Sequence, residues 1–491
     1  MRLAKITLEQ RTAILRLLAK GQNRGTIANE VGVTPGQVSA IQAHVKMGTY
    51  ALPRLSEELP GIQSQVMDGA QRGATRHPPK LVRPLEQDSV GRDSAPSVRP
   101  VLLGTDAETN EEVFWNPDPD SGSANPHVLV VGESGFGKTY TISCLLAELG
   151  KQGVHSIVFD YAQGFTAASW SPDFVRANRP VEIHASRDGV EINPLQIFPS
   201  DLHGPVNVAQ RVADTFGRVY PKIGVQQHAV IRQATLDVLA DRGILPEAEQ
   251  TWMSELPAFD SLQEKLQDYA DRYGHAQSRV ASLVASHIST MFVFRTFRRG
   301  GCKVAWSDVT RSESMVFVIQ LKGLEYSAER AVTEFLLWNL IGYVESLGPG
   351  PLRCFVVLDE AHKLSLNAGS PVEKLLREGR KFGLGIILSS QQAEDFSPVA
   401  FANTATKLVF QVGDEGRRVS RQLQRKVKNL HSLSRISDTI TKLPRGHAYA
   451  VTDNKGAVVS ITPFRDRSIR WRDQQRSLRG GQTGKGHVRM A

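Results

Sequence analysis

The chain has 491 residues, 41% hydrophobic and 22% charged, which is enough for two or three globular domains. No apolar run is long enough to span a bilayer, no signal peptide is apparent, and Cys144, Cys302 and Cys354 form no CxxC pair, which argues against a membrane protein, a disulfide framework or a cysteine-held metal and for reduced thiols in a cytoplasm. The net charge of +9 favours contact with polyanions.

Residues 1–50 predict a helix-turn-helix module. A first helix ends near Lys20, with Gly21 as its breaker. A short second helix turns Ile27, Ala28 and Val31 inward and stops at Gly32. Thr34 then reads as an N-cap, Pro35 as the first helical residue and Gln37 as the closing member of a capping box. Val38, Ile41 and Val45 make the buried stripe of the third helix. Gln37, Ser39, Gln42, His44 and Lys46 face out, at positions that reach base edges in a DNA-binding module. The same pattern also suits a three-helix module that binds protein or dimerises. Residues 51–97, rich in Pro, Gly, Ser and charge, read as a flexible linker.

From 98 to 465, apolar runs alternate with helical patterns. VLVVG (128–132), HSIVFD (155–160), SMVFVIQL (314–321), FVVLDE (355–360), GIILSS (385–390) and TKLVFQV (406–412) predict strands buried on both faces. That is the α/β class: a mainly parallel, RecA-like sheet with helices on both faces. The interval 203–300 has no convincing strand and predicts an all-α insertion.

GESGFGKT at 132–139 follows one of these strands and opens a helix, the context that makes the P-loop pattern specific. Its glycines let backbone N–H groups face phosphate oxygens, and the helix N-terminus adds its positive end. The expected nucleotide contacts are Gly132, Glu133, Ser134, Gly135, Phe136, Gly137, Lys138, Thr139 and Tyr140. Lys138 reaches the β- and γ-phosphates of ATP and Thr139 holds Mg²⁺. Downstream, CFVVLDEAH (354–362) delivers Asp359 as the second Mg²⁺ residue and Glu360 as the group that polarises the attacking water. DEAH is similar to the helicases of superfamily two, but no QxxGRxxR motif follows, so His362 reads as a local structural or coupling residue.

REGRKFGLGIILSSQQ (377–392) places Gln391, and second to it Gln392, at the tip of a strand beside Asp359, where an amide senses the γ-phosphate or the lytic water. Arg377, Arg380 and Lys381 precede that strand. A strand spans roughly 20 Å, so these cations sit beyond reach of their own subunit's phosphates. They either satisfy a helix C-terminus or serve a neighbour's site as an arginine finger, Arg380 before Arg377. Packing of that kind closes into a ring. Residues 466–491 form a basic tail that reads as a solubilising segment or a nucleic-acid-tracking arm.

In order along 100–465, VLLGTDAETNEEVFWNP, the P-loop, FDYAQGF, INPLQIF, VFVIQLKGL, the DEAH strand, REGRKFGLGIILSSQQ and FANTATKLVFQV resemble the HerA–FtsK superfamily of ring ATPases, on the HerA side shared with conjugative-transfer ATPases. HerA proteins usually begin with a small β-barrel; helices and a linker stand here instead. The resemblance implies a hexameric, Mg-ATP-driven translocase or helicase threading double-stranded DNA, with roles for Lys138, Asp359, Glu360, Gln391 and Arg377 or Arg380. It also implies a nuclease or other effector partner, in DNA processing, mobile-element transfer or defence against foreign DNA. Two other functions fit the same residues: an ATP-gated DNA-binding regulator, and a scaffold ATPase that assembles an effector without moving DNA.

Overall fold

A computed structural model describes residues 8–19, 22–46 and 98–471, with gaps at 119–123, 272–275, 299, 302–304, 414–415, 425–432 and 453–454. The chain divides into two units, 1–88 and 89–491. The linker expected at 51–97 lies wholly outside the described residues.

The first unit contains three helices, α1 (Leu8–Ala19), α2 (Arg24–Val31) and α3 (Pro35–Lys46). Ile14, Ile27, Ala28, Val38 and Ile41 meet in a small core. Gly32 ends α2 at φ 66°, a left-handed cap that glycine adopts at little cost. The capping box at α3 is present: Gln37 N–H donates to Thr34 Oγ1 (3.3 Å), and Thr34 N–H donates to Gln37 Oε1 (2.8 Å).

The second unit is built on one eleven-stranded sheet. Its elements are β1 (Val101–Asp106), β2 (Glu112–Trp115), β3 (Val128–Val131), α4 (Lys138–Gly150), β4 (His155–Asp160), α5 (Pro172–Asn178) and β5 (Val181–His184), followed by α6 (Pro205–Val219), α7 (Val225–Ala240), α8 (Ser261–Asp271), α9 (Ala276–Val293) and α10 (Trp306–Val309). The chain then returns to the sheet through β6 (Val316–Gln320), α11 (Tyr326–Ser346), β7 (Cys354–Leu358), α12 (Pro371–Glu378), β8 (Leu384–Ser390), α13 (Pro398–Asn403), β9 (Thr406–Val409), α14 (Gly416–Gln424), α15 (Leu433–Ile440), β10 (His447–Thr452) and β11 (Lys455–Ile461). The spatial order is β2-β1-β11-β10-β9-β3-β8-β7-β4-β6-β5.

From β9 to β5 every pair is parallel. Apart from the edge strand β5, which buries one residue of four, these strands are apolar on both faces because helices cover both. Val128 and Val130 of β3 enter one core with α4, while Leu129 and Val131 enter the other with α6–α9, α11 and α12. The long interval between β5 and β6 is anchored to α11 by aromatic packing: Phe335 meets Phe216 and Phe259 edge-on at 5.5 and 5.2 Å. No helix among the described residues is long and apolar enough to cross a membrane.

The remaining strands, β10, β11, β1 and β2, join antiparallel on one side of β9. They were not expected from the sequence, nor was β5. The strand expected at 406–412 ends at Val409, and the one at 355–360 ends at Leu358, so Asp359 and Glu360 stand in the turn beyond it. The fold also runs past the tail boundary expected at 465. Residues 464–471 are helical and lock onto the P-loop helix α4. The Arg467 guanidinium is wholly buried, donating to Glu148 Oε1 (3.0 Å) and to the Leu103 carbonyl (2.8 Å). A buried arginine paired in this way holds a surface together; it is not a free solubilising charge. The rest of the expected tail lies outside the described residues.

Candidate nucleotide site

The loop between β3 and α4 needs backbone that L side chains rarely adopt. Gly132, Gly135 and Gly137 have φ of 151°, 83° and 112°. A Cβ on Gly132 would lie 2.6 Å from Cβ of Phe410, so neither conformation nor space admits a larger residue. Glu133 N–H donates to the Gln411 carbonyl (2.8 Å), tying the loop to the end of β9. The half-buried Phe136 packs on the α4 core, while Ser134 and the adjacent loop backbone are exposed. Tyr140 is also exposed on α4, its hydroxyl accepting from Phe464 N–H (3.0 Å).

Lys138 is buried, its ammonium donating to the carbonyls of Gly132 (2.6 Å) and Glu133 (3.0 Å). Burial lowers its pKa, while the charges of Glu360, Asp359 and Glu133 act in the opposite sense. That coupling puts the lysine and the acidic pair in one electrostatic neighbourhood.

Asp359 leaves the C-terminal end of β7 and is 4% exposed. Its carboxyl is pushed up to about 6, chiefly by burial, with further upward pressure from Glu360 and Asp160 against the lowering effects of Ser389 and Lys138. Asp359 and Thr139 converge on Gly164: a Cβ there would lie 3.5 Å from Asp359 Oδ2 and 3.7 Å from Thr139 Oγ1. A hydroxyl and a carboxylate thus face a space that only the missing side chain of a glycine keeps open. That donor set fits a small hard cation that retains most of its water, as Mg²⁺ does.

Asp160, at the end of β4, builds this space and was not singled out from the sequence. Its carboxylate accepts from the N–H groups of Ala162 (3.1 Å), Gly164 (3.1 Å) and Phe165 (2.8 Å) and from Gln320 Nε2 (2.9 Å). A wholly buried acid satisfied by four donors curls the loop so that Gly164 comes up beside Thr139. The signal was there in FDYAQGF, an acid closing an apolar strand just ahead of a glycine.

Glu360 has φ 58°, a left-handed backbone costing about 1–2 kcal/mol in a residue with a Cβ. Gln391 Nε2 donates to Glu360 Oε1 (3.0 Å), and His362 Nδ1 lies 3.2 Å from Glu360 Oε2. Ser390 Oγ stands 3.3 Å from His362 Nδ1 and donates to Asp395. The structure therefore brings Gln391 to Glu360, whereas the backbone N–H of Gln392 binds Asp395 instead (3.2 Å).

The arginines lie at the other end of β8. Arg380 Nη1 donates to the Ala124 carbonyl ahead of β3 (2.6 Å), and Arg377 pairs with Glu373 on α12. Both are exposed, and the seven residues of β8 separate them from Gln391, a distance of about 23 Å. One arginine that sequence reading missed does reach the loop: Arg445, in the turn before β10, donates from Nε to the Gly135 carbonyl (2.6 Å).

In the first unit, Arg24 of α2 reaches Gln42 and Ser39 of α3: its Nε donates to Gln42 Oε1 (2.8 Å) and its Nη1 to Ser39 Oγ (3.4 Å). Gln37 departs from its expected outward display, because its carbonyl is turned back to cap the helix. The side chains of His44 and Lys46 lie outside those described.

Residues 121–340 match the family model described as Helicase HerA, central domain. No curated protein matches the chain. Among solved structures, the chain is similar to VirB4 of Thermoanaerobacter pseudethanolicus, with 20% identity, a TM-score of 0.57 and coverage of 74% of this chain and 96% of that one. It is also similar to the bacterial conjugative coupling protein TrwBdeltaN70, with 16% identity, a TM-score of 0.50 and coverage of 76% and 97%. These two likenesses establish a shared fold. The family match covers the central region of the chain, where the phosphate loop faces an acidic strand end.

Proposed function

We propose that the chain is an ATP hydrolase that works as a ring-shaped motor on double-stranded DNA. The observation that carries the chemistry is the meeting of Lys138, Thr139, Asp359, Glu360 and Gln391 at the C-terminal end of one parallel sheet. Backbone N–H groups of 132–139 and the start of α4 bind the phosphates, and Lys138 shifts from loop carbonyls to the β- and γ-oxygens. Thr139 and Asp359 hold Mg²⁺, which when bound neutralises phosphate charge. Glu360 orients the attacking water and accepts its proton, and Gln391, tied to Glu360, positions the same water and reports loss of the γ-phosphate to β8.

The ring reading is supported by the position of two arginines relative to this site. Its own Arg377 and Arg380 are a strand length away, so the guanidinium that steadies the transition state comes from the next subunit. A hexamer is the assembly we propose. The HerA description and the conjugative title of a structural neighbour support DNA as the polymer moved; transfer or processing of mobile DNA or defence against it, with a nuclease or other effector docked on the ring, belongs to the proposal. The outer face of α3, with Arg24 at its edge, is the proposed contact that orients the duplex.

The test is turnover with and without duplex DNA, beside displacement of a protein roadblock bound to that duplex. The motor reading expects DNA to raise hydrolysis several-fold and the roadblock to be removed only with ATP. Hydrolysis indifferent to DNA, with the roadblock untouched, would favour a scaffold ATPase.

A further inference from the structure

The strand order places two different charges on the two sides of β3. Asp359 and Glu360 come from β7, two strands away across β8. Arg445 comes from the turn into β10, two strands away across β9. Both reach the loop 132–139, from opposite sides.

Arg445 is held there by more than its side chain. Gly446 N–H donates to the Phe136 carbonyl (3.2 Å), so the turn is zipped onto the loop at consecutive residues. Ile461 N–H donates to the Gly446 carbonyl (2.9 Å), which fixes the turn to β11 in its turn. The guanidinium lies over Gly135, with Nη2 3.3 Å from the point where a Cβ would stand. Only Nε is used, on the Gly135 carbonyl. No carboxylate pairs with Arg445 among the described residues, and its Nη groups have no partner there. Arg467 and Arg218, by contrast, are neutralised by Glu148 and Glu334. An unneutralised guanidinium fixed to a phosphate loop has four N–H donors left for an anion.

We propose that Arg445 binds the α,β-diphosphate part of the nucleotide from within the same chain. This rests on the nucleotide-site reading above and adds to it a polarity. A nucleotide whose terminal phosphate points to Asp359 and Glu360 directs its ribose end toward β10, and Arg445 stands on that path. The site then uses two arginines for two purposes: one in cis that grips diphosphate in both ATP and ADP, and one in trans that acts on the transferring phosphoryl group.

The experiment is calorimetric titration of Mg-ADP into the full-length chain, Arg445→Gln, Arg445→Lys and Lys138→Ala, with melting curves of each before and after ADP. Loss of a charge-assisted contact predicts about ten- to a hundredfold weaker ADP binding in Arg445→Gln, partial recovery in Arg445→Lys, and an unchanged melting temperature before ADP is added. An unaltered ADP affinity in Arg445→Gln would overturn the proposal. So would a lowered melting temperature without ADP combined with an undiminished ADP-induced rise, the mark of a loop brace. Failure of the unsubstituted chain to bind ADP would strike down the nucleotide site itself, and this inference with it.

Discussion

At the residue scale the acidic pair divides the work by environment. Asp359 is buried, carries a raised pKa and faces Thr139 across Gly164, so it suits a cation. Glu360 has a left-handed backbone; Gln391 donates to its Oε1, while its Oε2 accepts no hydrogen bond among the described residues, with His362 Nδ1 3.2 Å away. Glu360→Gln keeps the volume and the Gln391 contact but removes the proton acceptor. The expected outcome is a fall in kcat of about 10²–10⁴-fold with ATP binding retained, measured by single-turnover hydrolysis alongside nucleotide titration. Loss of binding and rate together would assign Glu360 a structural part. The P-loop and the DE pair were legible because their chemistry fixes residue type and spacing. Asp160 left a local trace in FDYAQGF, since three of its partners are backbone N–H groups of that segment, but Arg445 left none, because it caps a carbonyl 310 residues away in sequence.

At the element scale the strands that the sequence revealed are those with helices on both sides. VLVV and LGIILSS are buried throughout and read as continuous apolar runs. Among those missed, VEIH has one buried residue and KGAVVSI two of seven, whereas VLLGTD and HAYAVT bury four of six but break the apolar run with Gly, Thr, His or Tyr. Burial also sets the chemistry at the start of β3. His127 is 1% exposed, its Nδ1 accepts from Ile386 N–H of β8 (3.3 Å), and its pKa falls to about 3 through burial first and the nearby charge of Arg380 second. The ring stays neutral in the fold, whereas an unfolded histidine protonates near 6.5. As pH falls below 6.5 the unfolded state takes up the proton first, so stability is lost progressively down to about pH 3. Between pH 7 and 5 this amounts to roughly 2 kcal/mol. His127→Gln, which keeps an acceptor for Ile386 N–H, should flatten that part of the profile in denaturant unfolding. Equal slopes for the two chains would show that His127 does not carry the effect.

At the scale of the whole molecule, the distance between the two ends of β8 becomes an argument about assembly. Gln391 follows the strand beside Glu360 and Arg380 precedes it, anchored to the Ala124 carbonyl beside an uncharged His127. A guanidinium exposed at that end, with the proposed catalytic groups at the other, fits the proposed assembly in which a second copy lies against it head to tail. The most direct test is a mixing experiment with two inactive chains. One carries Arg377→Ala and Arg380→Ala, the other Glu360→Gln, and the two are co-assembled in equal amounts before ATP turnover is measured. If each pocket is shared, about a quarter of the junctions in mixed rings unite an intact Glu360 with an intact neighbouring arginine, and activity reappears at up to about that fraction of the unsubstituted rate. A mixture no more active than the average of its two components would contradict the shared pocket.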